Sequence, residues 1–343
     1  MSEKSRQWIF LKRPSGTLTE DIFELREGTV GQPGEGELLV KVGLVSLDPA
    51  NRAWMAPVAT YKPPVMPGDV MHSFAIGRVI RSRAEGYAVG DIVEGMLGWQ
   101  DYAVLAAETV RKRDSRHSME NLLGVLGITG LSAYYGLLEV GKIKAGETVV
   151  ISAAAGAVGT IAGQIAKLKG CRVIGIAGGA HKCAWIVDEL GYDVAIDYKG
   201  PNFKAELADA VKSGVDVYFD NVGGEILESI VPHFNIFGRI VACGTLTDYN
   251  DAEPQPGPRG LQIACVVKRL RMEGFIVLDF AESWDKAEAD LVSWIDAGLL
   301  KPPVDVREGF DTLPGNLIGL FKGTNKGKLM VRINSFDDLA SQA

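Results

Sequence analysis

The sequence predicts an α/β protein in which a doubly wound parallel sheet is joined to a separate, barrel-like β domain. Three observations carry that expectation. Residues 124–303 alternate short apolar runs with segments of helical texture, the pattern of βαβ units in a parallel sheet. Residues 1–123 show strand-like alternation broken by turn residues instead. The chain of 343 residues also exceeds the about 250–300 at which a single core stops growing.

In the first domain, "GELLVKVGLVSLDP" alternates well and puts Leu38, Val40 and Val42 on one face. "FAIGRVIRS" and "VGDIVEGMLGWQDYAVL" follow as further strands. Pro63-Pro64 and Pro67-Gly68 mark a loop that is neither helix nor central strand. From residue 124, "ETVVIS" precedes a helix over Ala157 to Leu168, and "CRVIGIAG" precedes the helical "AHKCAWIVDEL". "DVAIDY" precedes "NFKAELADAVKSG", "VDVYFDNVGG" precedes "EILESIVPHF", and "FGRIVACG" closes the set. These strands are apolar almost throughout, as strands buried on both faces are. "TDYNDAEPQPGPRG" reads as a long irregular loop, of a length that is usually either functional or disordered, and "RMEGFIV" as one more strand. Residues 304–343 return to strand-like texture and are expected to complete the first domain.

Composition narrows the function classes. Apolar residues make up 47% and charged residues 23%, with a formal net charge of −7. No basic stripe marks a nucleic-acid partner, and Arg111-Lys112-Arg113 with Arg116 reads as a solvated loop. The start, "MSEKSRQWIF", lacks the apolar core of a secretion signal, and no run reaches the roughly 18 apolar residues of a membrane span. A soluble, cytoplasmic protein with no membrane partner is expected. Cys171, Cys183, Cys243 and Cys265 form no CxxC and read as reduced core thiols. His72, His117, His181 and His233 are scattered, so no metal site is expected.

The stretch "ISAAAGAVGT" carries the chemistry. Its spacing, Ala153-x-x-Gly156-x-x-Gly159, resembles the G-x-G-x-x-G dinucleotide fingerprint with alanine in the first place. Gly156 lets the backbone approach a pyrophosphate, Gly159 lets helix pack on strand, and the helix N-terminus offers N–H groups and a partial positive charge. The second strand ends at Ala177-Gly178-Gly179, where NAD sites usually place an acid for the ribose hydroxyls. No acid stands there, and Lys182 follows. This pair of features suits a 2′-phosphate, hence NADPH/NADP. By position alone Lys182 reads equally as a solvated helix lysine.

Longer strings extend the likeness. "ISAAAGAVGTIAGQIAKLKGC", "LGYDVAIDYK", "VDVYFDNVGGEILE", "FGRIVACGTLTDYN" and "LRMEGF" resemble the medium-chain dehydrogenase/reductase superfamily. Within it they resemble the zinc-independent leukotriene hydroxydehydrogenase/prostaglandin reductase branch, with its curcumin reductases and alkenal double-bond reductases. The resemblance runs from about Trp8 to Ile333. It implies a Rossmann doubly wound parallel sheet plus a GroES-like β-barrel domain, with an active site between them. The domains are expected at 1–123, 124–303 and 304–343, the last being the return to the catalytic domain. A homodimer is implied as well. So are NADPH as cofactor and a small enone or alkenal as substrate.

The resemblance also implies cofactor residues, one at a time. Ala154, Ala155, Gly156 and Ala157 with Val158 match the pyrophosphate loop. Lys182 and Tyr198 match the lysine and tyrosine at the 2′-phosphate, and Asn221 an asparagine near the cofactor. Cys243, Gly244 and Thr245, in the stretch that runs to Tyr249, match the loop beside the nicotinamide. Phe275 and Val277 match the strand flanking it, and Asn325 a late asparagine that reaches back to the cofactor. Without that match, Asn221-Val-Gly-Gly reads as a turn and Tyr198 as surface. Arg52 is carried as a further cofactor contact.

The departures bear on mechanism. Zinc alcohol dehydrogenases of the superfamily place a cysteine after the strand "KVGLVSL" and a His-Glu pair after the next glycine. Here those places read Ser46-Leu47-Asp48-Pro49 and Gly68-Asp69-Val70. Without ligands there is no metal to polarise an alcohol. "KCAWIVDELG" is one residue longer than in the mammalian prostaglandin reductases, as in the bacterial curcumin reductases.

The expected reaction is NADPH-dependent reduction of the carbon–carbon double bond of an α,β-unsaturated ketone or aldehyde, by hydride transfer to the β-carbon. Charge then grows on the carbonyl oxygen, so a hydrogen-bond donor is needed there. Tyr249 is the candidate donor, and the α-carbon proton is expected from water or from Tyr249. Tyr61, in "ATYKPPVMPGD", is a candidate for the substrate pocket and reads equally as a loop aromatic with a structural role. Two other readings stand beside this one: an NADPH quinone oxidoreductase, and an NADPH-binding protein without turnover.

Overall fold

A computed structural model of the chain describes residues 4–59, 61–247, 249 and 257–335. The chain divides into two compact units. One holds Met1–Leu123, Val304–Asn325 and Leu329–Ala343; the other holds Gly124–Pro303 and Lys326–Lys328.

The first unit begins with β1 (Lys4–Phe10) and β2 (Phe23–Thr29), paired antiparallel. Next come β3 (Glu37–Ser46), the short helix α1 (Pro49–Ala53), β4 (Ala75–Ser82), β5 (Ile92–Gly95), β6 (Tyr102–Ala106), β7 (Val110–Arg113) and α2 (Met119–Leu123). Leu38, Val40 and Val42 all enter the unit's core, as their alternation predicts. A register shift against β4 between Val42 and Leu44 then resets the pleat, so Val45 and Leu47 carry the core face onward. Asp48 caps α1 in a capping box with Asn51, and Pro49 starts it, which fixes the chain as it leaves β3.

In the second unit, helix α3 (Ile128–Tyr135) leads into β8 (Thr148–Ile151), α4 (Ala157–Leu168), β9 (Arg172–Ala177), α5 (Ala180–Asp188), β10 (Val194–Asp197) and α6 (Phe203–Ala210). Then follow β11 (Val215–Asp220), α7 (Gly224–Ile230), β12 (Phe234–Ala242), α8 (Leu261–Lys268), β13 (Arg271–Gly274) and α9 (Trp284–Asp296). The six strands run β10-β9-β8-β11-β12-β13, and all five pairings are parallel. This is the doubly wound order, third-second-first-fourth-fifth-sixth. Its switch point lies between β8 and β11, and ligands of such sheets sit outside the strand ends there. The apolar strings of β8, β9 and β11 are buried as expected.

The chain ends on β14 (Val304–Glu308), α10 (Leu313–Phe321) and β15 (Lys328–Arg332), and β15 pairs antiparallel with β3. Three expectations are corrected. The last forty residues are not strand-like throughout: "LPGNLIGLF" is helix α10, with Pro314 in its first turn and Leu313 and Leu317 buried at helical spacing. "RMEGFIV" is strand only as far as Gly274, because β12 offers its last partner at Ala242. Phe275 is therefore in a connection, and Val277 opens a 3-10 segment over Val277–Ser283. Cys171 and Cys183 are buried and Cys243 is partly buried, but Cys265 is not a core thiol, since it lies on α8, which buries no residue. Most of the expected irregular loop, 248 and 250–256, lies outside the described residues. Among the described residues no helix is long and apolar enough to cross a membrane.

Candidate active site

The turn from β8 to α4 separates the roles of its small residues. Ala153 takes a positive φ of 48°, the conformation a glycine adopts without steric penalty and an alanine at about 1 kcal/mol. This is the first glycine place of the fingerprint. A Cβ on Gly159 would fall 2.4 Å from the Ala153 carbonyl oxygen and 2.7 Å from Ala154 Cα, so helix packing demands glycine there. A Cβ on Gly156 would meet only the Ala153 oxygen, at 3.1 Å, and the backbone is ordinary extended chain. Gly156 thus leaves room on the ligand side that the protein's own packing does not use. Gly156 is also the N-cap of α4 and no side chain caps the helix, which leaves first-turn N–H groups for an anion. Ala154 and Ala155 are buried beneath the turn. Lys326–Lys328 joins this loop: Gly327 bridges Gly156, and its N–H donates to the Ala155 carbonyl at 2.9 Å. These residues fit a pyrophosphate.

At the end of β9 the space of the missing acid is filled. A Cβ on Gly178 would lie 2.9 Å from the Tyr198 ring and 3.1 Å from the Lys199 side chain. Tyr198 is 44% exposed, an open aromatic face beside that turn. Lys182 sits in the first turn of α5 and is partly buried. An acid does approach: Asp197 accepts from the Gly179 N–H at 2.7 Å and the Lys199 N–H at 2.9 Å on one oxygen, so it braces the turn. Sequence reasoning passed over Lys199, whose ammonium lies 5.8 Å from the Tyr198 ring centroid. Its signal was the "DYK" string itself.

The strand ends at the switch point are tied together by Ser152 and Asp220. Asn221 donates its side-chain amide to the Ser152 carbonyl at 2.8 Å, and its N–H to Ser152 Oγ at 2.9 Å. One Asp220 oxygen accepts from Tyr218 OH and from the N–H groups of Val222 and Gly223. Burial raises the Asp220 carboxyl above the usual range against those bonds. The Asp220 carbonyl accepts the N–H groups of Cys243 and Gly244, and Thr247 donates to the Val222 carbonyl at 2.7 Å. Residues 243–247 are thereby docked on 221–224, and Tyr249, partly exposed, follows two residues later. Burial among these groups pushes the Cys243 thiol up to about 12, which leaves it un-ionised and a poor nucleophile at neutral pH. Phe275 packs edge-on to Phe280, and Val277 is buried.

The first unit holds the remaining candidates. Tyr61 is 45% exposed, and its oxygen accepts from the buried Trp54 indole at 3.2 Å. Burial of the phenol raises its pKa, so its proton stays available to a ligand. Arg52 is buried; among the described residues its side chain makes one hydrogen bond, from Nη2 to the Gly16 carbonyl at 3.4 Å, and its Nε has no partner. Burial lowers its pKa. Where zinc relatives place a cysteine, Ser46 donates to Asp48 instead. Asn325 is buried at the end of its segment. Sequence reasoning also missed Lys62 and His72, whose head groups meet at 3.4 Å.

Family models match both halves of the chain. The model described as the N-terminal domain of oxidoreductase covers residues 6–112, and that of zinc-binding dehydrogenase covers 157–294. The NADPH-dependent curcumin reductase of Escherichia coli (strain K12) is 38% identical over 98% of this chain and 99% of its own length. The 2-alkenal reductase (NADP(+)-dependent) of Nicotiana tabacum is 34% identical over 97% of this chain and 98% of its own. The crystal structure of CurA in complex with NADPH from Vibrio vulnificus, 37% identical, superposes with a TM-score of 0.92 over 96% of this chain and 99% of that one. The chain belongs to the medium-chain dehydrogenase/reductase superfamily, in the branch that holds the curcumin, prostaglandin and 2-alkenal reductases.

Proposed function

We propose that this chain reduces the carbon–carbon double bond of α,β-unsaturated ketones and aldehydes with NADPH. The observation that carries the reading is its near full-length similarity to relatives named NADPH-dependent curcumin reductase and 2-alkenal reductase. Bound NADPH supplies the hydride that reaches the substrate β-carbon. The protein's residues do the rest. N–H groups of the Ala154–Val158 turn hold the pyrophosphate, and Lys182 pairs with the 2′-phosphate beside Tyr198. Asn221, the Cys243–Thr245 turn, Phe275, Val277, Asn325 and Arg52 complete the cofactor's surroundings. Tyr249 donates to the carbonyl oxygen as the enolate forms, and Tyr61 lines the substrate pocket.

The test uses purified protein, both nicotinamide cofactors, a small enone panel, a quinone, and a saturated alcohol with NADP. We expect NADPH loss with a saturated carbonyl product. Lys182→Ala should raise the NADPH KM about tenfold to thirtyfold, the effect of a lost charged hydrogen bond, and leave NADH nearly unchanged. Turnover of quinone alone, or equal losses with both cofactors, would sink the assignment.

The first unit is then the GroES-like barrel of the superfamily, and the enzyme is a cytoplasmic homodimer. Four free cysteines suit a reducing compartment. Edge strand β13 is exposed along its length, and α8 presents Ile263, Val266 and Val267 to solvent. Antiparallel pairing of two β13 strands about Met272 sets Arg271 of each copy opposite Glu273 of the other, a self-complementary edge. Sedimentation should therefore report twice the chain mass, and Met272→Asp should shift it toward one.

A further inference from the structure

The reduction needs a hydride and a proton, and in the proposed mechanism Tyr249 is engaged with the oxygen. Lys62 offers a second donor in the first unit. Its ammonium stands 4.2 Å from the centroid of the Trp54 ring and 3.4 Å from His72 Nδ1. Trp54 is 2% exposed and packs edge-on against Phe74, so this platform is fixed. The same indole donates to Tyr61 OH, which brings the Tyr61 and Lys62 head groups to one aromatic ring. Among the described residues no carboxylate pairs with Lys62. Burial alone draws its pKa down to about 8. Burial, and then Lys62, lower that of His72, which stays neutral at pH 7 although Asp69 acts on it in the other direction. Asp48 acts on Tyr61. A cation half-removed from water without a carboxylate partner carries a desolvation cost, which the ring face and the neutral imidazole offset only in part.

We propose that Lys62 is the acid that protonates the substrate α-carbon, with Trp54 and His72 as positioning residues. The inference rests on the enone-reductase reading. In the step, the enolate electron pair forms the α-carbon–hydrogen bond while an N–H bond of the ammonium breaks. The carbonyl is restored, Lys62 is left as a neutral amine, and solvent returns its proton. The acid form is the working form, so turnover holds below pH 8 and falls as pH rises through it.

The experiment uses the full chain with NADPH and a neutral enone bearing an α-methyl group. Wild type should give one α-configuration, and kcat/KM should fall above pH 8. Lys62→Met should lower kcat about tenfold, remove that fall, and give nearly racemic α-carbon with NADPH binding unchanged. Lys62→Arg keeps the charge and the fold, moves the fall to higher pH, and loses the α-configuration in part. Retained configuration in both variants would overturn the proposal. So would a loss confined to the KM of a carboxylate-bearing enone, which would make Lys62 an anchor and not an acid. Wild type that reduces no enone in the same assay would instead mark failure of the enone-reductase reading.

Discussion

Tyr249→Phe should lower kcat for enone reduction by about 10²-fold and leave the NADPH KM within about twofold. The phenyl ring fills nearly the same volume, so packing changes little. In the proposed mechanism what is lost is one O–H donor to an oxygen that gains charge only as the hydride arrives, and such donors act on kcat and not on binding. The anchoring of 243–247 explains why one phenol there can serve. Two backbone bonds to the Asp220 carbonyl and the Thr247 bond to Val222 fix the chain two residues before it. Asp220 is itself braced by Tyr218 and two N–H groups. A disturbance of Asp220, for example Asp220→Ala, should therefore reach Tyr249 through the loop. Steady-state rates from nicotinamide absorbance, fitted for kcat and KM separately, decide the matter. An unchanged kcat would remove Tyr249 from the chemistry.

Much of the dinucleotide unit is legible because its physics is local. Strands buried on both faces must be apolar throughout, and β8, β9 and β11 are. A turn that packs helix on strand needs small residues at fixed spacing: Ala153 takes the positive φ and Gly159 the close contact, while the room at Gly156 is left over by that packing. What escaped depends on partners distant in sequence. Nothing in "RMEGFIV" says that β12 runs out of partners at Ala242. Helix α10 hides behind Pro314, Gly315 and Gly319, which read as turn signals until Leu313 and Leu317 are seen to share a buried face. Lys62 and His72 lie on either side of a proline-rich loop, and only the fold brings Lys62 to the Trp54 ring and His72 to Lys62. Gly327 meets Ala155 for the same reason, and its role had no local trace beyond "GTNKGK".

Gly159→Val is expected to cost more than about 3 kcal/mol and to lower the melting temperature of the dinucleotide unit by roughly 10 °C. The clash is with main chain on both counts: 2.4 Å to the Ala153 carbonyl oxygen and 2.7 Å to Ala154 Cα. No flexible side chain is there to yield, so α4 must lift off the turn. It is held from the other side as well. Tyr192 OH donates to the Gly159 carbonyl at 2.6 Å, and the Tyr192 ring lies where a Cβ on Gly163 would fall, at 2.1 Å. Lifting α4 also moves the N–H groups to which the proposed function assigns the pyrophosphate, so NADPH should no longer raise the melting temperature. Gly156→Ala separates the two effects. Its methyl group meets one oxygen at 3.1 Å, so stability should change by less than about 1 kcal/mol. That methyl group occupies the ligand's approach, and NADPH affinity should fall at least about tenfold. Melting curves of both variants with and without NADPH give all four quantities. If Gly156→Ala binds NADPH as wild type does, the room at Gly156 is not the cofactor's, and the pyrophosphate must lie elsewhere on the turn.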